Sequence, residues 1–166
     1  MSDLVKMKVS GLTIDPFTNM PIVILKDDDG KVALPIWIGL IEASAIATEI
    51  EKIELSRPMT HDLIKIILEE LNAKIVKIEI SDLMDNTFFA LLHCEGGDKK
   101  FSIDCRPSDA IAIALRTETD IYVDKKVIEK SRKLENINQS EDQLKSQKWT
   151  EILENLESED FGKYKM

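Results

Sequence analysis

The feature that most constrains this chain is a change of apolar period that occurs twice in the same order. Each time, two runs of strand character flank an acidic, glycine-containing turn, and a helical stripe follows. Pro21 to Lys26 and Lys31 to Ile38 flank Asp27-Asp28-Asp29-Gly30. A helix is then expected from Gly39 to Ile53, with Ala43, Ile46, Ile50 and Ile53 on one stripe. Thr87 to Cys94, apolar on both faces and so read as a central strand, and Lys99 to Cys105 flank Glu95-Gly96-Gly97-Asp98; a helix is expected from Ser108 to Arg116. Ser44-Ala45-Ile46-Ala47 and Asp109-Ala110-Ile111-Ala112 are offset by 65 positions, and the same offset carries Ile50 onto Leu115. A hairpin followed by one helix cannot bury both its faces, so two such units sharing one mixed sheet is the natural solution.

Around these units the spacing predicts a first strand from Leu4 to Val9 and a helix capped by Thr60 that runs to about Leu71. Lys74 to Ile80 alternates, which puts Val76, Ile78 and Ile80 on one face, and Lys99 to Cys105 turns Phe101, Ile103 and Cys105 inward. Pro35 marks an edge strand or a bulge. A short strand, Ile121 to Val123, and a helical turn, Lys125 to Lys130, close a main domain over residues 1–131. Residues 132–148 read as a polar linker, and 149–166 as a C-terminal helical tail. In that tail Trp149, Ile152, Leu153 and Leu156 form one stripe, which must dock on the main domain or on a protein partner, because so short a helix is unstable alone.

With 43% apolar and 32% charged residues, the chain falls in the ordinary globular class. No apolar run approaches the roughly 20 residues of a membrane helix, and Met1-Ser2-Asp3-Leu4 lacks a secretory pattern, so the expected location is cytoplasmic. Cys94 and Cys105 do not face each other across the expected hairpin, where Cys94 lies opposite about Lys99 and Cys105 opposite about Phe88; they read as free thiols of a reducing compartment. Thirty-one acidic against 22 basic residues give a net charge of -9, which repels polyphosphates at long range. Phosphodiester chemistry on such a chain calls for divalent cations held by carboxylates.

Polar groups concentrate where strands hand over to helices: Trp37-Ile38-Gly39-Leu40-Ile41-Glu42-Ala43, Arg57-Pro58-Met59-Thr60-His61-Asp62, and Asp104-Cys105-Arg106-Pro107-Ser108-Asp109-Ala110. Helix capping explains Thr60 and Ser108, and dipole complementation explains Glu42, Asp62 and Asp109. Neither explains Arg57 and Arg106, because a cation at a helix start needs a carboxylate or a bound anion beside it. Asp104 is the expected partner of Arg106. The functional alternative assigns Glu42, Asp62 and Asp104 to a Mg²⁺ or Mn²⁺ ion, with His61, Arg106 and Asp109 as catalytic groups. His93, beside Phe89 and Leu91 on one strand face, reads as a satisfied core histidine. The sequence has no phosphate-binding glycine loop, no zinc-spaced cysteine pair and no nucleophile elbow.

At these segments the chain resembles the bifunctional nuclease domain family. The matching blocks are Leu34-Pro35-Ile36-Trp37-Ile38-Gly39 with Glu42-Ala43, Arg57-Pro58-x-Thr60-His61-Asp62-Leu63, and Asp104-x-Arg106-Pro107-Ser108-Asp109-Ala110-Ile111-Ala112-x-Ala114-Leu115-Arg116, within roughly residues 4 to 130. The resemblance implies an α+β fold with a mixed sheet, a homo-oligomer, and DNase and RNase activity on DNA or RNA as substrate. The competing reading is a non-catalytic oligomeric module that binds an anion or a protein through Arg57, Arg106 and the helix starts.

Overall fold

The computed structural model describes residues 3–141, with side chains described through residue 136. Seven strands form one mixed sheet: β1 (Leu4–Ile14), β2 (Pro21–Asp27), β3 (Ala33–Trp37), β4 (Ala73–Met84), β5 (Thr87–Gly96), β6 (Lys99–Cys105) and β7 (Ile121–Asp124). Four helices accompany them: α1 (Leu40–Ile50), α2 (Thr60–Glu70), α3 (Pro107–Thr117) and α4 (Lys125–Glu141). The strand order is β3-β2-β1-β7-β4-β5-β6. Two three-stranded antiparallel meanders therefore flank the short β7, which runs antiparallel to β1 and parallel to β4. Each meander ends on an outer strand that passes directly into a helix, β3 into α1 and β6 into α3, and these two helices pack on each other. The repeated strand-turn-strand-helix pattern thus becomes the two wings of a single sheet.

Apolar content fixes the layers. In β2, Ile22, Val23, Ile24 and Leu25 are all fully buried, as its unbroken apolar run requires. Helix α3 is buried nearly all round through Ala110, Ile111, Ala112, Ile113 and Ala114, and its small residues allow close packing against α1, α2, β4 and β5. Helix α2 has no fully buried residue, and Met59, Leu63, Ile66, Ile67 and Leu71 remain exposed along it. Left-handed residues end three helices: Lys52 (φ 52°) just after α1, Asn72 (φ 52°) after α2 and Glu118 (φ 51°) after α3.

Several elements differ from the sequence expectation for identifiable reasons. A register shift between Val9 and Gly11 breaks the alternation in β1, which nevertheless continues to Ile14. Another between Ile75 and Lys77 buries Ile75 and leaves Val76 43% exposed, reversing the expected face of Val76. Strand β5 is next to the edge rather than central. Phe101 and Ile103, expected inward, are 42% and 44% exposed because β6 is the edge strand. Pro35 sits in the opposite edge strand, β3, as anticipated. Across the β5–β6 hairpin, Cys94 pairs with Phe101 and Cys105 with Ala90, two places from the expected partners, and both thiols are free. Met59 and Arg106, not Thr60 and Ser108, are the N-caps of α2 and α3, and Pro107 takes the first helical position. Ile53 lies beyond the end of α1 and is exposed.

Helix α4 runs to Glu141, so the first ten residues of the segment read as a linker are helical. The stripe at Trp149 lies outside the described residues. Helix α4 is anchored by Val127 and Ile128 in the core and by Lys126 and Lys130, one turn apart, on Asp82 of β4. The Lys130 hydrogen bond, the Leu83 N–H and the Lys126 charge hold the Asp82 pKa down to about 2. A carboxylate with a depressed folded pKa contributes stability that is present above its unfolded value and lost as pH falls through the folded one. Asp82→Asn should therefore lower the urea midpoint at pH 7, and the gap from wild type should shrink progressively as pH drops from about 4 toward 2. A gap that is constant with pH would contradict this anchoring.

Candidate functional site

The two strand-to-helix junctions and the start of α2 meet at one place. Gly39 is the N-cap of α1, and Glu42 follows in its first turn. A Cβ built at Gly39 would lie 2.1 Å from Glu42 Oε2, so only glycine lets this carboxylate fold back against the helix start. From there Glu42 Oε1 accepts a 2.7 Å hydrogen bond from Arg106 Nη1. Arg106 Nε donates to Asp109 Oδ2 at 2.8 Å and Nη2 donates to Asp109 Oδ1 at 3.2 Å, a two-pronged clamp within the first turn of α3. His61 Nε2, from the first turn of α2, lies 2.9 Å from the same Asp109 Oδ1. The catalytic trio read from the sequence, His61, Arg106 and Asp109, is thus brought together, with Glu42 as a fourth member.

The arrangement answers why an arginine tolerates a helix start: it is bracketed by carboxylates from α1 and α3. Arg106 pairs with Asp109 and Glu42, however, not with Asp104. Asp104 is exposed and lies on the face of β6 opposite Cys105, and its side chain makes no ion pair or hydrogen bond among the described residues. Burial works against ionised Asp109, but hydrogen bonds from Arg106 and His61 outweigh it and keep the carboxyl below its ordinary range. Because that carboxylate can only accept, His61 Nε2 must carry the proton of the neutral ring, and Nδ1 is left without a partner among the described residues. Of the five guanidinium N–H groups of Arg106, three are committed and two make no hydrogen bond among the described residues. Beside Arg106 and Glu42 lies a cleft of about 270 Å³ walled in part by Trp37 and Phe88.

Asp62 has another task. Its Oδ2 accepts the Met59 N–H at 2.9 Å, which closes the start of α2, and its Oδ1 accepts Arg116 Nε at 2.7 Å. Arg116 is 96% buried, and its other nitrogens donate to the carbonyls of Ala112 in α3 and Ala45 in α1, both at 2.9 Å. One side chain therefore ties α1, α2 and α3 together and sets where His61 stands. Sequence reasoning missed this role: an arginine in the last turn of a helix reads as ordinary dipole complementation. Arg57 is exposed and forms no ion pair among the described residues; with Asp62, Lys65 and Arg116 it borders a separate cleft of about 380 Å³.

The proposed ligands Glu42, Asp62 and Asp104 do not converge: the first two are spent on guanidinium groups and the third stands apart. Among the described residues no three His, Cys, Asp or Glu side chains are grouped to hold a metal ion. The donors as arranged do not fit a resident Mg²⁺ or Mn²⁺. Cys105 is no nucleophile either, since burial and the charges of Asp109 and Asp104 push its thiol up to about 11. His93 is fully satisfied, with Nε2 2.8 Å from Glu79 Oε2 and Nδ1 2.9 Å from Ser102 Oγ.

Removing the Arg116 side chain leaves two carbonyls and Asp62 without their donor, so Arg116→Ala should cost about 2–4 kcal/mol in urea unfolding. Arg106→Ala, at an exposed pair, should cost at most about 1 kcal/mol. The reverse ranking would contradict the division of labour between these two arginines.

The bifunctional nuclease domain matches residues 23–136, which include every member of the cluster. An uncharacterized protein of Mycobacterium tuberculosis is 39% identical over 123 residues, covering 74% of this chain and 73% of that protein. Bifunctional nuclease 2 of Arabidopsis thaliana is 28% identical over 107 residues, covering 62% of this chain and 32% of its own length. Bifunctional nuclease 1 of Oryza sativa subsp. indica is 24% identical over 109 residues, with 63% and 33% covered. The chain thus spans about a third of the plant relatives it matches, and it belongs to the bifunctional nuclease domain family.

Proposed function

We propose that this chain cleaves phosphodiester bonds of DNA or RNA at the His61–Asp109–Arg106 cluster. The observation that carries the reading is the 2.9 Å contact of His61 Nε2 with Asp109, which leaves Nδ1 as a free base beside an arginine with two uncommitted donors. In this reading Asp109 orients the imidazole, His61 Nδ1 takes a proton from the attacking water as its oxygen bonds to phosphorus, and the P–O ester bond breaks, the leaving alkoxide taking a proton from the imidazolium or from solvent. The two uncommitted N–H groups of Arg106 bind non-bridging phosphate oxygens and offset charge in the transition state. Trp37 and Phe88 line the adjoining cleft, in which a base of the substrate would lie.

The formal charges of Glu42, Asp109, Arg106 and a neutral His61 sum to -1, and the whole chain carries -9. A polyanion is therefore poorly attracted at long range, and Mg²⁺ or Mn²⁺ enters as an additive that screens this repulsion. The two free thiols fit a reducing compartment, and we place the protein in the cytoplasm. No helix among the described residues is long and apolar enough to cross a membrane.

The test is cleavage of labelled single-stranded and duplex DNA and RNA by the full chain in Mg²⁺, Mn²⁺ or EDTA. His61→Ala and Arg106→Met should each lose roughly 10²-fold or more in turnover while keeping a cooperative melt. Since its hydrogen bonds hold the Asp109 carboxyl below its ordinary range, no loss of activity between pH 8 and 5 should trace to its protonation. Wild type that binds these polymers without cutting them would overturn the catalytic reading and leave the anion-binding module.

A further inference from the structure

The edge strand β6 carries a pattern that fits a second copy of itself. Among the described residues its one strand neighbour is β5, and the register with β5 is unbroken from Lys99 to Cys105. Its outer row of N–H and C=O groups therefore meets no strand among the described residues. Edges are usually guarded by proline, a bulge or a covering segment. The opposite edge, β3, has Pro35 in its ladder, whereas Lys99–Cys105 contains neither proline nor bulge. Lys99 through Asp104 are all exposed, including the large apolar side chains of Phe101 and Ile103.

We propose that this edge pairs antiparallel with the β6 edge of a second copy, on a two-fold axis at Ser102. In that register Lys100 lies opposite Asp104 and Phe101 opposite Ile103, each pair occurring twice by symmetry, while Ser102 meets Ser102 once on the axis. Alternation puts Lys100, Ser102 and Asp104 on one face, and Lys99, Phe101, Ile103 and Cys105 on the other. Charge meets opposite charge and apolar meets apolar. Centring the pair on Phe101 or on Ile103 instead sets Lys100 or Asp104 against Ser102, so only the Ser102 register matches the charges. The pairing gives Asp104, which has no ion pair within its own subunit among the described residues, a cation. It joins the two seven-stranded sheets into one across the interface. It also sets Lys99 of the partner subunit opposite Cys105, one residue before Arg106, and so brings a further cation toward the cluster. The inference rests on β6 alone and is independent of whether the site cleaves.

The test is sedimentation equilibrium of the full chain together with three charge variants. Wild type should be a dimer. Lys100→Asp or Asp104→Lys alone makes two like-charge pairs and should weaken the dimer roughly tenfold or more, whereas the double swap restores both pairs and the dimer. All four side chains involved are exposed, and unchanged melting of each variant confirms that the subunit itself is intact. Wild type that stays monomeric overturns the proposal. So does a dimer that the single substitutions leave unchanged, which would place the interface elsewhere, for example on the exposed stripe of α2.

Discussion

A guanidinium stands at the start of α3, where the helix field disfavours a cation, and the candidate site is organised around the resolution of that conflict. Arg106 reaches Asp109 in its own helix and Glu42 in α1, and Asp109 in turn takes His61 from α2. Because the Arg106 side chain is 63% exposed, these ion pairs add little to stability; exposed pairs are worth about 0–1 kcal/mol. Their effect is on position. They hold an imidazole and a guanidinium on one carboxylate, that of Asp109.

Stability comes from elsewhere, and the division is physical. Arg116 is almost fully buried and each of its three nitrogens donates to a group from a different helix, so its loss leaves carbonyls of α1 and α3 and the Asp62 carboxylate without that donor. Helix α3 supplies the small residues that let α1 and α2 approach closely enough for that to occur. The sheet contributes through its symmetry. Strands β3 and β6, at opposite edges, each deliver the start of a helix to the same region, so Glu42 from one wing meets Arg106 from the other.

Much of this was legible in the sequence because period and polarity change together. The turns, the two helices that follow hairpins and the edge position of β3 follow from Gly30, Gly97, Pro35 and the apolar spacing. The trio His61, Arg106 and Asp109 was legible because arginines at helix starts demand partners. The choice of partner was not. Asp104 is two residues from Arg106, but strand alternation sends it to the other face of β6, whereas Glu42, 64 positions away, is brought close by the packing of α1 on α3. Bulges were invisible because nothing in Lys74 to Ile80 breaks the alternation that a bulge then reverses. Helix α4 was foreshortened because its later turns carry few apolar residues, so no stripe announces them.

The central claim is that Asp109 fixes the orientation of His61 and leaves Nδ1 as the available base. Nitrogen-15 NMR of the neutral imidazole reads the tautomer directly, and only His61 and His93 need be distinguished. His61 is expected to carry its proton on Nε2, and Asp109→Asn to remove this preference. A proton on Nδ1 in the wild type, or a tautomer indifferent to the loss of the Asp109 carboxylate, would contradict it.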